Sequence, residues 1–121
     1  MKQHGLSILT AITPGKAQLL QALLNDIGTH IDEKPHGIDF YEMKTVHFMR
    51  WVVVPAGEVR GKKVPAWLIL STNYDGPVKA HLTELVAKGI DGLREIYANC
   101  NGFQAGWDAN AIVHYLGKHS H

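Results

Sequence analysis

The side chains best suited to chemistry in this 121-residue chain gather in two short stretches, His47 with Arg50, and Asn73 with Tyr74 and Asp75. An imidazole that titrates near pH 6.5, a permanent guanidinium and a carboxylate together could hold an anionic small molecule or move a proton. The guanidinium is the most demanding of them, because a buried arginine without a carboxylate or an anionic ligand costs several kcal/mol. Asp75 is the carboxylate nearest to hand. Two readings follow: an ion pair from Arg50 to Asp75 that ties a strand to the start of a helix, or a pocket lined by all five residues. Strand parity adds a condition, since His47 and Arg50 face opposite sides unless a bulge intervenes.

Eight histidines are many for this length. His81 and His114 could each ligate a haem iron, which would need one imidazole facing a large apolar cavity. His81 lies beside Leu82 at the edge of an apolar stripe and is expected to be exposed on a helix. His114, His119 and His121 crowd the end of the chain with no carboxylate among them, so they are read as a solvated tail and no metal site is expected. Cys100 is the single cysteine; it leaves no intrachain disulfide, and at a helix end, where the dipole disfavours a thiolate, it is expected to be a small buried hydrophobe. No serine has the context of a nucleophile elbow, and the glycines form no phosphate loop.

The elements that must position these residues show in the periodicity. Residues 6–12 are short, apolar and rich in β-branched side chains, a first strand. Thr13 and Pro14 then suggest a helix start, and Leu20, Leu23, Leu24, Ile27 and Ile31 give that helix an apolar face. Residues 45–54 carry the strongest strand signal, apolar on both faces, and residues 65–73 repeat it beyond a basic loop at 58–63; the two are expected to form an antiparallel hairpin. Asp75 and Pro77 mark a second helix, with Val78, Leu82, Leu85 and Val86 on one stripe, broken near Gly89 or divided there. Asp108 should cap a last short helix.

The order β-α-β-β-α predicts a single α+β domain over residues 1–121, a ferredoxin-like sandwich with an antiparallel sheet, helices on one face, and a weak or missing fourth strand. The candidates for that strand are a stretch around Phe103 or residues 111–116. Both faces of the middle strands are apolar and two helices can cover only one, so the other face must find a partner or a ligand. A formal charge of +1 gives no field to draw a phosphate backbone, the third strand lacks the stacking residues of an RNA reader, and no apolar run is long enough for a membrane span. Nucleic acid and membrane partners are therefore not expected. With one cysteine and no signal-peptide pattern, a reducing cytoplasmic setting is.

Two stretches resemble a known group. Val46-His47-Phe48-Met49-Arg50-Trp51-Val52-Val53-Val54 is one; the other is Leu70-Ser71-Thr72-Asn73-Tyr74-Asp75-Gly76-Pro77, continued by residues 89–93 and 97–103. Together they resemble uncharacterised bacterial and fungal domains of the ferredoxin-like, dimeric α/β-barrel superfamily. The resemblance implies a homodimer and a further aromatic strand beyond Leu116. Some relatives in that superfamily bind haem and act as peroxidases or monooxygenases, which is a likeness of fold and transfers no activity by itself. The expected protein is thus a homodimer with a small-molecule pocket at His47, Arg50, Asn73, Tyr74 and Asp75. The alternatives are a haem-dependent peroxidase or monooxygenase-like enzyme, and an oligomerisation module without a ligand.

Overall fold

The computed structural model describes residues 3–30, 38, 43 and 45–120, with the side chains of Gln3 and His47 outside that description. Its elements are β1 (Gln3–Ala11), α1 (Ala17–Thr29), β2 (Val46–Val54), β3 (Gly57–Val59), β4 (Lys62–Val64), β5 (Trp67–Asp75), α2 (Val78–Tyr97) and α3 (Ala109–Lys118). The main sheet has the order β1-β5-β2, and β5 is antiparallel to both neighbours. β1 and β2 therefore run in the same direction with β5 inserted between them, the split β-α-β arrangement of a ferredoxin-like sandwich. The α+β class and the β2–β5 hairpin agree with expectation.

The hairpin connection holds more structure than a polar loop. Residues 57–64 form a small ribbon, β3 against β4. Its two-residue turn places Arg60 at φ 53 and Gly61 at φ 78, the left-handed pair that matches the twist of the flanking strands.

Two helix starts differ from expectation. Pro14 lies in a turn closed by Lys16 N donating to Thr13 O at 3.0 Å, with Gly15 at φ 84. Proline followed by a left-handed glycine suits such a turn, so α1 begins only at Ala17. Pro77 is likewise the residue before α2, extended at ψ 146, and the Asp75 side chain does not cap that helix. Two other expectations hold: α2 runs on through a kink at Gly89, and the Asp108 carboxylate caps α3 by accepting from Ala111 N at 2.9 Å.

Alternation along β5 separates the two sheet faces. Leu68, Leu70, Thr72 and Tyr74 are buried, whereas Trp67 and Asn73 are exposed. The buried side joins Ile8 of β1 and Ile12 just beyond its end to Leu20 and Ile27 of α1, Leu85, Leu93 and Ile96 of α2, and Ile112 and Leu116 of α3 in one core. Each such aliphatic side chain contributes about 1.5–3 kcal/mol when removed from water. Met49, Trp51 and Val53 of β2 pack against the same core. The opposite face carries Gly5, Ser7, Leu9 and Ala11 from β1, then Asn73, Ser71, Ile69 and Trp67 from β5, then Phe48, Arg50, Val52 and Val54 from β2, aligned by the register. We refer to it as the open face.

Neither candidate for a fourth strand is one. Residues 111–116 belong to α3, and Phe103 lies in a loop against Trp107 and Tyr115. Along the outer edge of β1, where the fourth strand of a ferredoxin-like unit belongs, there are single bridges instead, Ile8 to Ser120 and Ile12 to Cys100. His119 is part of this edge: its carbonyl accepts from Leu9 N at 3.1 Å and its ring lies 4.7 Å from that of Tyr115. The reading of His119 as solvated tail is corrected accordingly, and His121 lies outside the described residues.

Candidate functional site

A β-bulge decides where the candidate residues of β2 point. Val46 stands opposite Tyr74 and Phe48 opposite Asn73. His47 is therefore the extra residue, and the parity of the strand changes across it. Val46 joins the helix side, while Phe48 and Arg50 lie on the open face.

The five predicted residues are consequently divided by the sheet. Arg50 stands opposite Ser71, four residues or roughly 13 Å of strand from Asp75. The expected Arg50–Asp75 ion pair is not formed, because the register that pairs the strands holds the two charges apart. Arg50 and Asn73 are exposed on the open face. Tyr74 is buried beneath the helices, and Asp75, half-buried at the end of β5, uses its main-chain N to donate to Thr45 O at 2.9 Å. The His47 side chain lies outside the described residues.

What Tyr74 does meet is His81, and here expectation is reversed. His81 is not an exposed helix histidine; it is wholly buried. Its ring stacks on Tyr74 with centroids 4.2 Å apart and planes 6° from parallel. Nδ1 lies 3.1 Å from Thr45 Oγ1 and Nε2 lies 3.0 Å from Thr72 Oγ1. Thr45 in turn donates to Glu84 Oε1 from both its hydroxyl and its main-chain N, each at 2.8 Å.

The carboxylate fixes the direction of the chain of hydrogen bonds. Since the Thr45 hydroxyl gives its proton to Glu84, its oxygen accepts from His81 Nδ1–H, which leaves Nε2 to accept from the Thr72 hydroxyl. The imidazole is neutral in this arrangement. Burial holds its pKa below the ordinary 6.5, with the nearby Glu84 carboxylate acting in the opposite direction. With His81 and Thr72 buried and Thr45 and Glu84 half-buried, the cluster ties the entry of β2 to α2 and β5. A sequence signal for it existed: His81 precedes Leu85 by one helical turn, and Thr72 falls on the buried side of an alternating strand.

The same hydrogen bonds bear on haem ligation by His81. Both nitrogens of His81 are engaged with threonine hydroxyls, so neither is left for iron. His114 is exposed at the rim of a cleft of about 600 Å³ between α2 and α3, beside Lys79, Thr83 and Asn110, which is not the apolar enclosure a haem face requires. Haem does not fit at either histidine.

A larger open cleft, about 840 Å³, lies where α1 begins, at the end of the sheet away from Asp75. Ile12, Ala66, Pro14 and Val64 line it together with Glu58 and Lys63 of the ribbon. Neither cleft includes Arg50, Asn73, Tyr74 or Asp75. Cys100 behaves as expected: it is buried, it accepts from Thr10 Oγ1 at 3.4 Å, and burial raises its pKa. Among the described residues, no helix is long and apolar enough to cross a membrane.

No family model matches the chain, and no curated protein does. Among solved structures it is similar to one from Chloroflexus aurantiacus J-10-fl described as an antibiotic biosynthesis monooxygenase, at 17% identity over 83% of each chain with a TM-score of 0.46. That likeness concerns the course of the chain and brings no activity with it.

Proposed function

We propose that the protein is a homodimer in which the open faces of two sheets pack together, and that the assembled interface holds a small molecule. The observation that carries this reading is a pair of apolar rows across all three strands of the open face, Leu9–Ile69–Val52 and Ala11–Trp67–Val54. Phe48 at 50%, Val54 at 39% and Trp67 at 37% exposure are large apolar side chains held in water on a surface no described helix covers. A sheet apolar on both sides is stable only when both are buried, and the same patch on a second copy is the simplest cover, because a two-fold pairing matches it to itself.

The size of the face supports the same reading and limits its strength. Three strands of nine residues make a surface of about 14 by 30 Å, on the order of 400 Å² per copy, roughly half of what a standard interface contributes on each side. The β3–β4 ribbon can supply more, since all six of its strand residues are exposed, Val59 and Val64 included, and a lone two-stranded ribbon is only marginally stable in water. Light scattering coupled to gel filtration tests the pairing. A dimer is expected at tens of micromolar, and Trp67→Glu, which places a charge in the second apolar row, should leave a folded monomer.

A further inference from the structure

Four polar side chains interrupt the open face as a compact group. Ser7, Ser71 and Arg50 form one cross-strand row, and Asn73 stands in the next row between Gly5 and Phe48. Asn73 is exposed, and its Oδ1 lies 3.7 Å from the place a Cβ on Gly5 would take. None of the four side chains is hydrogen-bonded or ion-paired to another described residue, so the group presents a guanidinium, two hydroxyls and an amide with their donors unused. The apolar row Leu9–Ile69–Val52 borders it on one side and Phe48 on the other.

Resting on the pairing of sheets proposed above, we infer that this polar group is an anion site and that its ligand is an organic carboxylate with an apolar body. Closing a second sheet over the face would strip water from Arg50 and its neighbours, and a buried guanidinium needs an acceptor. A planar carboxylate matches the guanidinium fork with two parallel hydrogen bonds, and the serine hydroxyls and Asn73 amide can satisfy the remaining lone pairs. One cation per copy balances one negative charge, which favours a monoanion over phosphate. The flanking Val52, Ile69 and Phe48 provide for an apolar body.

The test uses benzoate as the probe and benzamide as its uncharged isostere, with isothermal titration on the full chain at a concentration where light scattering shows the dimer. Benzoate is expected to bind, benzamide to bind at least about tenfold more weakly, and Arg50→Gln to raise the benzoate Kd by about tenfold or more, the loss of a charge-assisted hydrogen bond. Arg50 is exposed in the monomer, so the variant should melt with the wild type, which circular dichroism checks. The site is overturned if the wild-type dimer ignores benzoate or if R50Q binds it equally well. It is also overturned if R50Q weakens the dimer tenfold with no anion added while benzoate has no effect, because the acceptor then comes from the second copy. A monomer at every concentration sinks the pairing instead, and the difference between wild type and R50Q toward benzoate then decides the site alone.

Discussion

Replacing His81 by phenylalanine isolates the hydrogen bonds of the buried cluster, because the ring that stacks on Tyr74 at 4.2 Å is kept while both nitrogens are lost. Thr72, 2% exposed, then has no acceptor for its hydroxyl, at a cost of about 1–3 kcal/mol. Thr45 loses one partner but still donates to Glu84 at 2.8 Å, so its contribution is smaller. The sum is about 2–3 kcal/mol at pH 7.5, or a fall in Tm of about 10 °C for a chain of this length.

The same substitution also changes the pH dependence. The folded chain resists a proton on His81 because burial lowers its pKa, whereas the unfolded chain accepts one near pH 6.5. The unfolded state thus binds more protons, and stability rises with pH in that window. The contribution is complete above pH 6.5 and is lost as the pH falls through 6.5 toward the lowered folded value. Urea melts of both proteins from pH 7.5 to 5.5 should show the wild-type advantage shrinking by up to about 1.3 kcal/mol. A variant within 0.5 kcal/mol of wild type at pH 7.5, or two curves that stay parallel on acidification, would show that His81 is neither buried nor bonded as described; such small differences are typical of exposed sites, roughly 0.5 kcal/mol or less.

Other expectations are more local. Asp108→Ala removes the carboxylate that accepts from Ala111 N at 2.9 Å and should cost about 1 kcal/mol in a chemical melt; no loss would mean that α3 does not depend on its cap. Cys100, buried with a raised pKa, should react with a chromogenic disulfide at pH 8 at least about a hundredfold more slowly than in denaturant, and fast labelling of the native protein would contradict its burial. Arg50→Gln should weaken benzoate binding about tenfold or more without moving the melting transition.

The strands were legible because their signal is local. Residues 46–54 and 67–75 alternate or run apolar in ways that period-2 geometry explains, and the apolar residues on the outward side of β2 and β5 are what the expectation of a partner or ligand on that face rested on. The division of the candidate site was legible only in part: alternation already sets Asn73 against Tyr74 and His47 against Arg50, whereas the register that parts Arg50 from Asp75 was not. One extra residue at His47 changes which side of the sheet its neighbours occupy, and nothing in the local composition marks that bulge. His81 was misplaced for a related reason: a polar residue beside an apolar stripe is usually exposed, and only the arrival of Thr45 and Thr72 from distant parts of the chain makes its burial affordable. The Thr13-Pro14 signal was overridden by Gly15, whose left-handed conformation turns the chain before α1 can start.

Sedimentation equilibrium of the intact chain across about 1–100 µM, the range in which weak specific interfaces assemble, bears most directly on the role of the open face. The account predicts a reversible rise to twice the 13.4 kDa chain mass, abolished by Trp67→Glu in a protein that remains folded. A single species of one chain mass over the whole range, or a dimer that the Trp67→Glu variant retains, would contradict it.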